Sequence, residues 1–402
     1  MHNAQASHRL LDGIRVLDLS RIIAGPFCSQ ILGDMGADVI KVEQPGSGDE
    51  TRTWGPPFAN GEAVYFFCVN RNKRSLTLNL KDPRGQAIFR ALVKRSDVLL
   101  ENFKPGTLAK LGLDYEALRP ENPRLIYCAV SGFGRTGPYA DRGGFDVIAQ
   151  AVGGLMGITG EPDGPPVKVG VAMTDIATAL YAHGAILAAL YAREQTGVGQ
   201  RIDASLLETQ IAALINIASS YLNGGVLPQK WGTAHTNIVP YQAFRTKDGH
   251  LIVGGATDRL WMKLCEALEL PDLAHDPAYA TNEQRVRHRA EIVRRLEERL
   301  GTKTRKEWEA ILAPTGVPCG AINRMDEVFA DPQVEHLGMV WEATHPQTGP
   351  IRMVRNPVTF SETPVALRQV PPRLGEHTED VLRDLLGYAQ ADIEALRAAG
   401  VV

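Results

Sequence analysis

A chain of 402 residues that is 44% hydrophobic and 22% charged is long enough for two domains with separate cores, which excludes a disordered or fibrous protein. Its formal net charge of −3 gives no global attraction to nucleic acid or to an anionic membrane, so any phosphate site has to be local. No run reaches the roughly 18 consecutive apolar residues of a spanning helix, and residues 1–11 lack the apolar centre of a secretory signal, so the expectation is a soluble, cytoplasmic protein.

In chain order, residues 14–19 read as a strand, 27–35 as a helix and 37–42 as a second strand. A helix over 84–95 and strands over 97–101 and 124–130 continue the alternation. This pattern predicts a parallel sheet covered on both faces, with ligands at the strand ends. The clearest amphipathic helix runs from 173 to 194, with Ile176, Leu180, His183, Leu187 and Leu190 at spacings of three and four. Gly197 and Gly199 end it, a second helix spans 206–222, and Asn223-Gly-Gly225 with Pro228 reads as a linker.

Beyond the linker, 241–246 and 250–254 flank Lys247-Asp-Gly249 as a hairpin, followed by helices near 258–269 and 283–300. The last of these interleaves Arg and Glu, the mark of a solvated face rather than a nucleic-acid surface. The expected fold is α/β, a large Rossmann-like parallel-sheet domain with an inserted smaller α/β domain. Residues 1–225 would form the first part of the large domain, 226–340 the small domain with its linkers, and 341–402 a segment returning to the large one.

The loop Asp18-Leu-Ser-Arg-Ile-Ile-Ala-Gly-Pro26 and Glu43 at the end of the second strand invite a dinucleotide-binding reading, but no GxGxxG follows the first strand and Pro26 stands in the loop. A NAD or FAD site is therefore not expected. Asn70-Arg-Asn-Lys-Arg-Ser75 is either a phosphate-holding cluster or an exposed basic turn. Glu101-Asn-Phe-Lys-Pro-Gly106 follows a buried strand, where α/β proteins bind ligands. Asp175 stands at the start of the amphipathic helix, either as a cap or as a carboxylate nucleophile, and such a position would keep it ionised at neutral pH. The glycine-rich stretch 160–170 just before it would let a ligand approach the backbone.

His183 falls on the apolar face of its own helix and reads as a core residue, whereas His235, beside the linker, is a pocket candidate. Cys28, Cys68, Cys128, Cys265 and Cys319 are scattered without paired spacing, so they read as reduced structural thiols and no metal site is expected.

These residues resemble the class III coenzyme A transferases, a family that includes formyl-CoA transferase, carnitine CoA-transferase and alpha-methylacyl-CoA racemase. The likeness covers nearly the whole chain. It is carried by Gly13-Ile-Arg-Val-Leu-Asp-Leu-Ser-Arg21 with Ala24-Gly-Pro26, by Gly36-Ala-Asp-Val-Ile-Lys-Val-Glu43, by Asn72-Lys-Arg-Ser75 and by Glu101-Asn-Phe-Lys-Pro-Gly106. Further on come Ser131-Gly-Phe-Gly134 with Gly137-Pro-Tyr139, the segment from Asp175 to Thr196-Gly-Val-Gly-Gln200, and Leu374-Gly-Glu-His-Thr378.

The resemblance implies that Asp175 is the nucleophile, carrying first the acyl group as an anhydride and then CoA as a thioester. It places CoA against Arg21, Ala24, Asn72, Lys73, Arg74, Asn102, Phe103 and Lys110. It implies no permanently bound cofactor, only CoA and acyl-CoA as substrates, and an interlocked homodimer. Two departures stand out. Where the racemases carry Gly-His-Asp this chain has Gly144-Phe-Asp146, and Phe145 cannot move a proton, which favours transfer over the alternative of a racemase or isomerase. The glycine-rich lid of formyl-CoA transferase has no visible counterpart, and residues 231–241 occupy its approximate place. Asp49-Glu-Thr-Arg-Thr-Trp-Gly-Pro-Pro-Phe58, Gly170-Val-Ala-Met-Thr-Asp175 and Trp231-Gly-Thr-Ala-His235 resemble the branch that exchanges CoA between succinyl-CoA and dicarboxylates such as glutarate or hydroxymethylglutarate. Such an acid needs a cation for its distal carboxylate, for which Arg52, Arg21 and His235 are the candidates.

Overall fold

The computed structural model describes residues 9–402, which divide into two compact units. The larger comprises residues up to 155, 168–224 and 336–402; the smaller comprises 156–167 and 225–335. The stretch 156–167, which the sequence reading left in the large domain, thus belongs to the smaller unit.

The larger unit is built on six parallel strands: β1 (Arg15–Asp18), β2 (Asp38–Glu43), β3 (Lys73–Thr77), β4 (Val98–Glu101), β5 (Ile126–Ser131) and β6 (Arg201–Ser205). They lie in the order β3-β2-β1-β4-β5-β6, with Val16 opposite both Val39 and Val98. Because side chains alternate along a strand, each buried strand feeds two cores. On one face Leu17, Ile40, Leu76, Leu99 and Tyr127 pack with Ile88, Phe89 and Leu92 of α1 (Pro83–Val93) and with Val381, Leu382, Ile393 and the terminal Val401 and Val402. The chain end therefore closes a core laid down by its first half.

On the other face Val16, Val39, Val98, Ile126 and Cys128 pack against Ala24, Cys28 and Leu32 of the helix Ala24–Asp34 and against Ala179, Ala182, Ile186 and Ala189 of α2 (Met173–Thr196). The small alanine side chains let this helix approach the sheet closely. At 24 residues and a mean hydropathy of 1.3 over its best window, α2 is long and apolar enough to cross a membrane by length and composition alone, although Thr, Asp and His interrupt its apolar run. Its alanine face is instead part of this core.

β3 and β6 escaped the sequence reading for different reasons. Lys73, Arg74 and Ser75 make β3 look like a polar turn, because its burial depends on partners far away in sequence. β6 is five residues long and follows directly on Gly199 and Gln200. The helix expected over 206–222 is broken into Leu206–Ala212 and Ile215–Gly224, with Ile215 at a φ of 38°.

The smaller unit holds a three-stranded antiparallel sheet of Tyr241–Arg245, His250–Gly254 and Cys319–Ala321, the first two forming the expected hairpin. Phe244, Leu251 and Val253 pack with Trp261, Leu264, Ile292, Leu296 and Trp308 from its helices. The Arg- and Glu-rich segment forms Asn282–Arg287 and Arg289–Leu300, the latter burying Ile292, Leu296 and Leu300 and leaving its charges to solvent.

Beneath the strand ends of the larger unit lie paired charges. Asp18 and Lys73 are both fully buried and meet at 3.0 Å, and Lys73 also donates to the Pro26 carbonyl and to Asn70 Oδ1 at 2.9 Å each. Burial alone would raise the Asp18 carboxyl, but Lys73, Lys41, Ser20 and Ser29 hold it down to about 2. Burial draws the Lys73 ammonium down to about 8 against the pull of Asp18, so the pair is ionic at neutral pH. Lys73→Met, which strands the Asp18 charge, is expected to cost about 3–5 kcal/mol, read as a lower denaturant midpoint. Adding Asp18→Asn should recover part of that loss.

Candidate active site

The sequence offered Asp175 as a cap for its own helix, and the structure gives that task to another residue. The N-cap of α2, Ala172, makes no side-chain cap. Asp146, at the start of the helix Asp146–Val152, instead accepts the N–H groups of Thr174 at 2.8 Å and Asp175 at 3.2 Å through one carboxylate oxygen. Gln150 Nε2 donates to its other oxygen at 2.6 Å, and Thr174 Oγ1 donates to Gln210 Oε1 at 2.8 Å. The donors of the helix start are satisfied without Asp175. Among the described residues its carboxyl receives no hydrogen bond.

Burial, and then the neighbouring Asp146 carboxylate, push the Asp175 carboxyl up to about 7. The expectation of a fully ionised Asp175 is therefore corrected, because Asp146 already takes the favourable end of the helix dipole. The group is weakly solvated and close to balance between acid and anion at neutral pH.

Asp175 faces a cavity of about 210 Å³ lined by residues from four strand-end segments. Arg21, Ile22, Ile23 and Ala24 follow β1; Asn102, Phe103, Lys104 and Pro105 follow β4; Val130, Ser131 and Gly132 end β5; Arg142 to Phe145 form the loop before Asp146. Two close approaches shape it. A Cβ on Gly25 would stand 2.2 Å from the Ser20 Cβ, so the helix can leave the β1 loop at this angle only with glycine there. The backbones of Gly132 and Gly144 also meet, since a Cβ on Gly144 would lie 2.4 Å from the Gly132 Cα.

Arg21 and Asn102 hold their two loops together, Arg21 N donating to Asn102 Oδ1 at 2.9 Å and Asn102 Nδ2 to the Arg21 carbonyl at 2.8 Å. The Arg21 guanidinium stacks 5.0 Å from the Phe103 ring centre and pairs with Glu50 at 2.5 Å. Arg21 and Phe103 also line a second cavity of about 450 Å³, together with Val42, Leu78, Leu80, Leu108 and Leu111 and with Lys41, Gln44 and Lys81. Arg21, Ala24, Asn102, Phe103 and Asp175 are thus gathered in one place.

The remaining candidates line neither cavity. Asn72 bridges Asp34, at 2.8 Å, to the carbonyl of Ala366 and the N–H groups of Arg368 and Gln369. Lys73 is locked to Asp18, and Arg74 holds Asp38 through two bonds of 2.9 and 2.7 Å. Lys110 is exposed on the turn Ala109–Leu111 and lines neither cavity. Arg52 is engaged bidentately by Glu43 at 2.8 and 2.7 Å. His235 belongs to the smaller unit, where its Nδ1 accepts the N–H of Asn237. Residues 231–241, the expected lid, belong to that unit as well.

The sequence reading missed three groups. Asp146 was quoted only as the end of a Gly-Phe-Asp step, and its spacing to Asp175 has no local signature. Arg142 sat in a glycine-rich loop with no chemical reading. Tyr65, in an apolar run, stacks edge-on with Trp54 at 5.1 Å, and its hydroxyl is pushed up by burial, by Cys68 and by the field of Asp175. No thiol competes as a nucleophile in this region: burial pushes the Cys68 thiol up to about 11 and that of Cys128 up to about 12.

A carboxyl raised in the folded state opposes stability once it ionises. Stability present below about pH 4, the unfolded value, is lost as pH rises through about 7. Asp175→Asn is therefore expected to raise the melting temperature of the unliganded protein at pH 8, with the gain shrinking toward pH 4.

The model of CoA-transferase family III matches residues 11–378. The chain is 47% identical over 396 residues to succinyl-CoA:glutarate CoA-transferase of Mus musculus, covering 98% of this chain and 91% of that one. It is 37% identical over 401 residues to succinyl-CoA–D-citramalate CoA-transferase of Chloroflexus aurantiacus, over the full length of both. Among solved structures, a CaiB/BaiF family protein from Brucella suis superposes with a TM-score of 0.84 at 46% identity, covering 94% of this chain and all of that one. This chain, with a half-buried carboxyl at the strand ends of a parallel α/β unit and CoA-transferases matching it over nearly its full length, belongs to CoA-transferase family III and is a CoA-transferase.

Proposed function

We propose that this enzyme moves CoA from succinyl-CoA to a dicarboxylate of the glutarate or hydroxymethylglutarate class, with Asp175 as the covalent carrier. The observation that carries this reading is the Asp175 carboxyl itself, free of hydrogen bonds among the described residues, poorly solvated and facing a cavity at the strand ends. The similar proteins from mouse and Chloroflexus support the substrate class, since both are named for succinyl-CoA and a second dicarboxylic acid.

In the first step an Asp175 oxygen attacks the thioester carbon, the C–S bond breaks, and the electron pair leaves with the CoA thiolate, giving a mixed anhydride. The thiolate then attacks the Asp175 carboxyl carbon. The anhydride C–O bond breaks, the donor acid departs as a carboxylate, and an aspartyl-CoA thioester remains. The acceptor carboxylate attacks that thioester, expels the thiolate and forms a second anhydride. Attack of the thiolate on the acceptor's carbonyl releases the new acyl-CoA and the Asp175 carboxylate, with no net proton or electron consumed.

Limited solvation favours the route twice. It leaves the carboxylate oxygen poorly stabilised and hence reactive, and it protects the anhydride from hydrolysis. The second cavity, with its apolar walls and Lys81 at its edge, suits the adenosine end of CoA, while Arg21 and Phe103 bridge the two cavities. Phe145 lines the Asp175 cavity where a racemase would need a proton carrier, which supports transfer. The exposed apolar side chains Leu180, Tyr181 and Tyr191 on α2 support the homodimer that the family resemblance implies.

Incubation with succinyl-CoA and a panel of dicarboxylates, followed by mass measurement of the CoA products, tests the reading. Asp175→Ala should lower transfer by roughly a thousandfold or more, and hydroxylamine should trap an activated Asp175 only in the wild type. Near-normal transfer by the variant would remove Asp175 from the mechanism. Because the attacking form is the anion, kcat/KM for the acyl-CoA should rise with pH through about 7. Asp146→Asn, which removes the second cause of the shift, should move that midpoint downward.

A further inference from the structure

A dicarboxylate that reaches Asp175 brings a second negative group into a cavity that already holds the Asp175 carboxyl. Its far end needs a cation that is not already neutralised. The two arginines named from the sequence fail this requirement. Arg52 is held bidentately by Glu43, and Arg21 is paired with Glu50.

Arg142 meets it. It lines the Asp175 cavity, its guanidinium stands 3.7 Å over the ring of Tyr139, and among the described residues no carboxylate lies within ion-pair distance of it. Stacking on a ring face leaves the edge of the guanidinium fork open, the geometry that takes a carboxylate through two parallel N–H bonds. Lys104 also lines the cavity without an ion-pair partner among the described residues, but it follows Phe103 on the loop that borders the second cavity, and its ammonium lacks the fork.

The position of Arg142 relative to the chemistry is set by two contacts. The backbone approach of Gly132 and Gly144 presses its loop against the end of β5. Four residues after Arg142, Asp146 grips the N–H groups of Thr174 and Asp175. Arginine and nucleophile are therefore tied to the same short segment.

We infer that Arg142 binds the distal carboxylate of the acyl donor and of the acceptor acid, and so makes the enzyme selective for dicarboxylates; this rests on the dicarboxylate reading above. The preference arises because a monocarboxylate leaves the guanidinium stacked on Tyr139 but without an anion.

The test compares two exchanges catalysed by the full-length enzyme, succinyl-CoA with glutarate and butyryl-CoA with pentanoate, in the wild type, Arg142→Gln and Arg142→Lys. The expected result is a wild type that favours the dicarboxylate pair. Arg142→Gln should raise KM for glutarate more than it lowers kcat, and should reduce the ratio of dicarboxylate to monocarboxylate kcat/KM about thirtyfold, the loss of one charge-assisted contact. Arg142→Lys, with charge but no fork, should fall between. If the ratio is unchanged in Arg142→Gln, or both exchanges fall together, the assignment to Arg142 is overturned while the dicarboxylate reading stands. A wild type that prefers the monocarboxylate pair, or uses neither pair, overturns the reading and the inference together and is recognised without any variant.

Discussion

The ligand-facing end of the large sheet hangs on the buried ion pair between Asp18 and Lys73. Asp18 ends β1, the central strand from which the first ligand loop departs, and it accepts Ser20 N at 2.9 Å, Ser29 Oγ at 2.5 Å and the Ser20 hydroxyl as well. Lys41 completes the platform by donating to the Ser20 carbonyl and to Asp49, both at 2.8 Å. Two buried cations thus hold the segment at both ends, Lys41 at the Ser20 carbonyl and Lys73 at the Pro26 carbonyl, and residues between them line both cavities. Buried ions are expensive to desolvate, and here every lone pair has a donor, which is the condition under which such a network persists. The same logic explains the Asn70–Ser75 run. Its cations hold strands and the returning C-terminal segment together rather than waiting for a phosphate.

The state of Asp175 depends on a second division of labour. A helix start ordinarily stabilises the anion placed there, which would make an aspartate both ionised and unreactive. Asp146 occupies that role from a neighbouring helix and leaves Asp175 exposed to the effects of burial and of a like charge. The raised carboxyl is the consequence. One arrangement thus accounts for a carboxyl that is poorly stabilised as an anion and for a helix that remains capped. Glu101 shows a related pattern at the end of β4, where burial pushes its carboxyl up to about 7 while it accepts the N–H of Phe103 at 2.8 Å and fixes the loop that both cavities share.

Much of this molecule was legible in its sequence. The period-2 strands, the long alanine-rich helix, the hairpin of the smaller unit and the loops after β1 and β4 follow from local patterns, because side-chain alternation and helix spacing are imposed by the backbone itself. Asn102 and Phe103 could be named for the same reason, as residues after a strand end, and Asp175 as one at a helix start, whereas Arg21 and Ala24 were named through the resemblance to the class III CoA-transferases. What local pattern could not supply was occupancy. Whether a polar side chain is free or already engaged depends on residues tens or hundreds of positions away: Asn72 on Gln369, Arg52 on Pro372, Lys73 on Asp18.

The sequence by itself determined the fold class, the strand-end location of the site and the aspartate at its centre. Only the tertiary structure decided the state of that aspartate and which of the candidate cations are already paired. Burial, like-charge proximity and ion pairing are set by distances in space, and a chain that brings Asp146 to Asp175 and Gly132 to Gly144 creates an electrostatic environment that no stretch of consecutive residues encodes.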